Sequence, residues 1–213
     1  GKSGTGKTLA ATLLGQDNGL PVYRVDLSSL ISKYIGETEK NLASLFDQAR
    51  NKKWVLFFDE ADALFGQRTE ARSSNDRSAN QQVAYLLQRV EDFPGVAILA
   101  SNLRKNIDPA FTRRFDCMIG FPMPGPQQRL TIWKNNCERG DDGKGKKKKP
   151  YYQLAKDVDL KFYADNYELS GGNIINVLRY SCIRAISDNI KVIANRYILG
   201  GVENELRKLG KSI

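Results

Sequence analysis

The chain has 213 residues, 41% hydrophobic and 27% charged, a balance that suits one large globular domain or a domain with a small appendage. It contains no histidine, and its three cysteines, Cys117, Cys137 and Cys182, lack metal-ligand spacing, which excludes histidine-based triads and weighs against zinc sites. Such cysteine usage fits a reducing cytoplasm; no signal peptide is visible, and apolar runs such as Gly95–Ala100 are too short to span a bilayer.

Residues 1 to 8, Gly1-Lys-Ser-Gly-Thr-Gly-Lys-Thr8, fill every fixed position of the phosphate loop GxxxxGKT. Gly1, Gly4 and Gly6 let the backbone wrap closely enough for its amides to donate to phosphate oxygens, and Lys7 brings a cation to the terminal phosphates. Thr8 offers a hydroxyl to magnesium. The apolar stretch Leu9–Leu14 reads as a helix whose positive N-terminal end points at the anion. The expected nucleotide-binding set therefore comprises Gly1, Lys2, Ser3, Gly4, Thr5, Gly6, Lys7, Thr8 and Leu9. A phosphate loop normally follows a buried strand, so a chain starting at Gly1 without an initiator Met is expected to come from a longer polypeptide.

A strand is predicted over Val22–Asp26, then a helix with apolar residues at Leu42, Leu45, Phe46 and Ala49. Between them stands Ser32-Lys33-Tyr34-Ile35-Gly36-Glu37, which by itself reads as a hydrophobic anchor at a helix entry. The five apolar residues Trp54–Phe58 predict a fully buried parallel strand, and Asp59 and Glu60 follow at its C-terminal end, the ligand edge of such a sheet. That position suits Asp59 as the outer holder of magnesium and Glu60 as the base that polarises an attacking water. The plainer alternative is an acidic pair at a helix N-terminus. The polar stretch Gly66–Arg77, with Arg68, Arg72 and Arg77, reads as a loop. Ser74, Asn75 or Asp76 can cap the following helix, whose stripe Ala79, Val83, Leu86, Leu87 and Val90 is core. A second buried strand, Val96–Asn102, ends on Asn102, an amide able to hold water against a terminal phosphate or simply to make a turn.

After Pro122-Met-Pro-Gly-Pro126 the pattern turns wholly helical, which sets a domain boundary near 124: residues 1–124 form an α/β unit and 125–213 a helical lid. The lid begins around Leu130, Ile132 and Trp133 and resumes at Val158. Its Leu169-Ser-Gly-Gly-Asn-Ile174 brings a helix start near the nucleotide, which adds Gly172 to the binding set. Val202–Gly210 predicts a short closing helix. The net charge of +9 is concentrated: residues 139–149 hold six basic and two acidic residues, a net +4 that leaves +5 for the rest. This glycine and lysine tract reads as a solvated insertion, which weakens the case for nucleic acid.

The series GKSGTGKT, VLFFDEAD, ILASN and IDPAFTRRFD, in this order, resembles the AAA branch of the AAA+ ATPases over essentially the whole chain. The resemblance implies a P-loop NTPase fold, a three-layer α/β/α parallel sheet with a C-terminal helical lid, and hydrolysis of ATP with Mg2+. It implies Thr8 and Asp59 at the metal, Glu60 as catalytic glutamate and Asn102 as the first sensor. Arg113 and Arg114 match the arginines such proteins offer to a neighbouring subunit's nucleotide. An arginine finger contributes about a thousandfold or more in rate where measured. Adjacent positions on a helical turn diverge by about 100°, so one of the pair reaches phosphate while the other pairs with an acid at the interface. The family places a second sensing arginine where this chain has Ile175 and Asn176, and Arg179 is only a fallback. The resemblance further implies a homo-oligomer, a hexamer, acting on a protein substrate or assembly, with Lys33, Tyr34 and Ile35 in a pore loop that grips unfolded chain. The segments Arg77–Val83 and Leu103–Asp108 are similar to bacterial single-module AAA proteins, including those of contractile injection systems. Competing expectations are a DNA-acting AAA+ protein, favoured by charge but not by the Tyr34 loop, and a slowly hydrolysing scaffold.

Replacing Tyr34 by Ala should abolish substrate processing while ATP hydrolysis continues; a cooperative loss of thermal stability instead would identify Tyr34 as an anchor.

Overall fold

The computed structural model describes residues 1–25, 35–61, 74–102, 112–137 and 153–211, the side chains of 35–38, 74–80 and 82 excepted. The chain forms two compact units, one comprising Gly1 and Lys7–Phe121, the other Lys2–Gly6 with Pro122–Ile213.

In the first unit β1 (Val22–Val25), β2 (Val55–Phe58) and β3 (Ala97–Leu99) form a parallel sheet in the order β1-β2-β3. Val25 stands opposite Phe58, and Phe58 opposite Leu99. All four residues of β2 are at most 1% exposed. Side chains alternate between the faces of a strand. Leu56 and Phe58 therefore pack on one face with Leu42, Phe46 and Ala49 of α2 (Ile35–Lys52) and with Leu86 and Leu87 of α3 (Ser74–Glu91). Phe57 packs on the other with Ala11 of α1 (Lys7–Asp17) and with Ala100. The result is the expected α/β/α layering. Trp54 lies just outside β2, its ring stacked on Tyr23 at 4.7 Å and carrying the Lys52 ammonium 4.7 Å from its centroid. β3 is shorter than the predicted Val96–Asn102.

The second unit is helical: α4 (Pro126–Cys137), α5 (Leu160–Asn166), α6 (Gly171–Ser187) and α7 (Asn195–Lys208). Its core joins Trp133, Tyr163, Ile174, Leu178, Ile198 and Val202. Pro126 opens α4, where its fixed φ suits a first helical position and its missing N–H costs nothing. The buried Arg129 is satisfied by carbonyls: Nε donates to Ala164 O at 2.8 Å and Nη1 to Pro124 O at 2.7 Å, which ties α4 to α5. Asp159 caps α5 by accepting from the amides of Lys161 (2.9 Å) and Phe162 (3.2 Å). Tyr163, its hydroxyl pushed up to about 12 by burial, donates to Asn195 Oδ1 at 2.7 Å.

The last helix starts at Asn195, well before the Val202 expected from sequence. Gly200-Gly201 looks like a break, but Gly201 serves packing. A Cβ there would meet Val177 Cγ1 at 2.9 Å, Val177 O at 3.0 Å and Val177 Cα at 3.2 Å, so its absence lets α7 approach the α6 backbone. The buried Glu205 of α7 accepts from Lys208 Nζ (2.6 Å), Asn173 Nδ2 (2.8 Å) and Asn176 Nδ2 (3.4 Å). Burial alone raises its pKa, but these donors more than offset that and hold the carboxyl below the ordinary glutamate value of 4.5. The lysine-rich tract 139–149 lies outside the described residues.

Because the folded-state pKa of Glu205 is depressed, its contribution is present above the unfolded value and disappears as pH falls through the folded one. Near neutral pH Glu205→Gln should cost about 1–3 kcal/mol. That difference from the parent chain should shrink below about pH 4.5 in urea unfolding measured across pH.

Candidate active site

The end of β2 supplies the acids. Asp59 keeps the parity of Phe57 and so emerges on the α1 face of the sheet. Its Oδ2 accepts the Thr8 hydroxyl at 3.2 Å and Arg24 Nη2 at 2.8 Å, while Oδ1 accepts its neighbour's amide, Glu60 N, at 3.0 Å. Glu60 sits at φ +52°, in the left-handed region that costs a side-chain-bearing residue about 1–2 kcal/mol. Two ladder bonds beside it hold the turn: Ala100 N donates to Phe58 O at 2.8 Å, and Ala61 N to Ala100 O at 2.9 Å. Strain of this kind, held by surrounding structure, is what functional positions store.

Lys7 is the first residue of α1, and its Nζ donates to Gly1 O at 2.7 Å and to Asn102 Oδ1 at 2.8 Å. Thr8 follows at the positive end of the same helix. Lys7, Thr8, Asp59 and Asn102, scattered through the sequence, thus converge at one edge of the first unit. Thr8 and Asp59 form a pair of hard oxygen donors, and that chemistry fits magnesium.

Residues 2–6 pack within the second unit. Gly4 and Gly6 adopt φ +74° and +98°, and Gly4 O accepts the amide of Gly172 at 2.9 Å. A Cβ on Gly4 would stand 2.5 Å from Ser170 Oγ. Ser170 caps α6 in a reciprocal box: its Oγ accepts from Asn173 N at 3.3 Å, and Asn173 Oδ1 accepts from Ser170 N at 3.1 Å. Thr5 donates to Lys2 O at 2.8 Å, while Lys2, Ser3 and Leu9 are exposed.

A glycine loop closing on a helix start, with lysine, threonine, aspartate and glutamate at a strand edge, has a counterpart among known families. Residues 1–123 match the model of the ATPase family associated with various cellular activities (AAA). The chain belongs to the AAA family. An uncharacterized AAA family ATPase, y4kL, of Sinorhizobium fredii is 41% identical over 126 residues, 58% of this chain and 38% of its own length. The proteasome-activating nucleotidase of Methanosarcina mazei is 30% identical over 211 residues, 95% of this chain and 47% of its own. A katanin p60 ATPase-containing protein of Danio rerio is 30% identical over 221 residues, 97% of this chain and 42% of its own. The chain thus spans less than half the length of these relatives. Among the described residues, no helix is long and apolar enough to cross a membrane.

In this AAA chain the two arginines differ. Arg114 Nη1 lies 3.4 Å from Glu91 Oε2 on the same unit, whereas Arg113 is exposed and makes no ion pair among the described residues. Lys33 and Tyr34 fall outside the described residues; Ile35 is the first residue of α2. Arg24 was not among the residues expected from sequence. Its role shows only in the strand register: Arg24 stands opposite Phe57, so this charged side chain shares the face of Asp59.

Gly4→Ala should lower stability by about 1–3 kcal/mol in thermal unfolding, combining a left-handed φ with the contact to Ser170. Adding Ser170→Ala should recover part of that loss rather than sum with it.

Proposed function

We propose that this chain is the motor module of a ring-forming ATPase that hydrolyses Mg-ATP and couples turnover to remodelling a protein substrate or assembly in the cytoplasm. The observation that carries this reading is the convergence of Lys7, Thr8, Asp59 and Asn102 beside the strained Glu60. In this reading the amides of Gly1–Thr8 and the Lys7 ammonium take the phosphates, and Thr8 with Asp59 holds magnesium. The metal, when bound, would neutralise charge on the phosphate oxygens. Asn102, on releasing Lys7, orients water at the terminal phosphate, and Glu60 accepts the proton that this water loses as it attacks phosphorus. The bond from that phosphorus to the bridging oxygen breaks, and ADP and inorganic phosphate leave. Gly172, at the capped start of α6, supports the glycine loop by donating its amide to Gly4 O.

Arg113, exposed and without an ion pair among the described residues, is the arginine offered to the next protomer of a hexamer, and Arg114 is its brace through Glu91. The relatives support the protein-substrate side of the proposal by name: one activates a proteasome, and another is a katanin ATPase. Lys33, Tyr34 and Ile35 would grip that substrate, the aromatic face of Tyr34 contacting side chains without regard to identity.

Glu60→Gln should leave nucleotide binding intact and lower steady-state hydrolysis by about 10²–10⁴-fold. Parent turnover should rise with protein concentration and with unfolded polypeptide. A variant as fast as the parent, or turnover indifferent to concentration, would overturn the assignment.

A further inference from the structure

Resting on the reading of Thr8 and Asp59 as the magnesium pair, we infer that Arg24 is a displaceable counter-ion that competes with magnesium for Asp59 and so sets the metal concentration at which this site loads. The two carboxylate oxygens of Asp59 are not equivalent. Oδ1 is committed locally, accepting Glu60 N at 3.0 Å. Oδ2 is the oxygen turned toward the Thr8 hydroxyl, and the same oxygen receives Arg24 Nη2 at 2.8 Å. A hydrated cation held between Thr8 and Asp59 needs that oxygen as an acceptor, so metal and guanidinium draw on one site.

The surroundings favour exchange over permanence. The Asp59 side chain is 15% exposed and fixed by its own backbone, whereas the Arg24 side chain is 65% exposed and free to swing into water. An ion pair with one partner so open is weak, which suits a group that must yield. Its place is nonetheless built in: β1 runs parallel to β2 with Arg24 opposite Phe57, which delivers the guanidinium to the α1 face where Asp59 emerges. Lys7, lodged on Gly1 O and Asn102 Oδ1, is a second cation resting on acceptors beside the phosphate position. Asp59 is thereby paired and Lys7 hydrogen-bonded before nucleotide and metal arrive, and loading exchanges one set of contacts for another.

The test is divalent-ion affinity itself. Mn2+ is titrated into the full-length protein with ADP bound, with free Mn2+ read by electron paramagnetic resonance, and the magnesium dependence of ATP turnover is measured in parallel. Arg24→Gln should tighten Mn2+ about two- to fivefold and lower the half-saturating magnesium by a similar factor, the scale of an exposed ion pair. Arg24→Lys, which keeps the charge, should stay near the parent. Unchanged or weaker Mn2+ binding in Arg24→Gln, with its thermal unfolding unaltered, would overturn the inference and make Arg24 a mere neighbour or a support of Asp59. A parent protein whose Mn2+ affinity is indifferent to Thr8→Ala would sink the magnesium reading itself and this inference with it.

Discussion

Everything at the candidate site depends on β2 being buried on both faces and bonded along both edges. Four consecutive apolar residues with almost no exposure cannot slide by one position, since a one-residue slip would exchange the packing against α1 with that against α2 and α3. The strand therefore ends at one place, and Asp59 and Glu60 inherit that precision. The backbone bonds on either side of Ala100 extend the constraint past the strand, holding Glu60 in a conformation it would not choose alone. Hydrophobic burial, directionless in itself, becomes positional accuracy for two carboxylates.

Electrostatics then arranges the edge. Lys7 rests on Gly1 O and Asn102 Oδ1, and Arg24 on Asp59 Oδ2. A site that gathers cations for a polyanion faces a cost when the polyanion is absent, and local acceptors reduce it. In the proposed reading these partners would make loading an exchange of contacts, with affinity set by a difference between two satisfied states rather than by the strength of either.

Much of this was readable from sequence where residue type and spacing coincide. The apolar run ending at Phe58 announced a buried strand, and acids directly after it could only appear at the strand's end. The glycine loop with Lys7 and Thr8 was equally plain, because few arrangements need those residues at those intervals. What escaped depended on partners distant in sequence. Arg24 stood in a short strand with ordinary charge, and only its register beside β2 gives it a carboxylate to meet. The start of α7 at Asn195 was missed; Gly201 falls inside the helix, where Val177 occupies the space a side chain would take. A helix start near the glycine loop was expected from Leu169–Ile174, but the Ser170–Asn173 cap and its approach to Gly4 were not read from sequence.

The close seating of Gly201 on Val177 has a mechanical meaning. Helices whose backbones touch cannot slip past one another as helices separated by long side chains can, and here Glu205 additionally pins α7 to the first turn of α6 through Asn173. The pair behaves as one stiff beam, with its short end at the glycine turn of Ser170–Gly172 and its long arm running along α7 for about 20 Å. A tilt of a few degrees at the short end becomes a travel of an ångström or more at Asn195, where α7 lies beside the far end of α6. Small rearrangements at that glycine turn are amplified by leverage, with no bending inside the beam to absorb them.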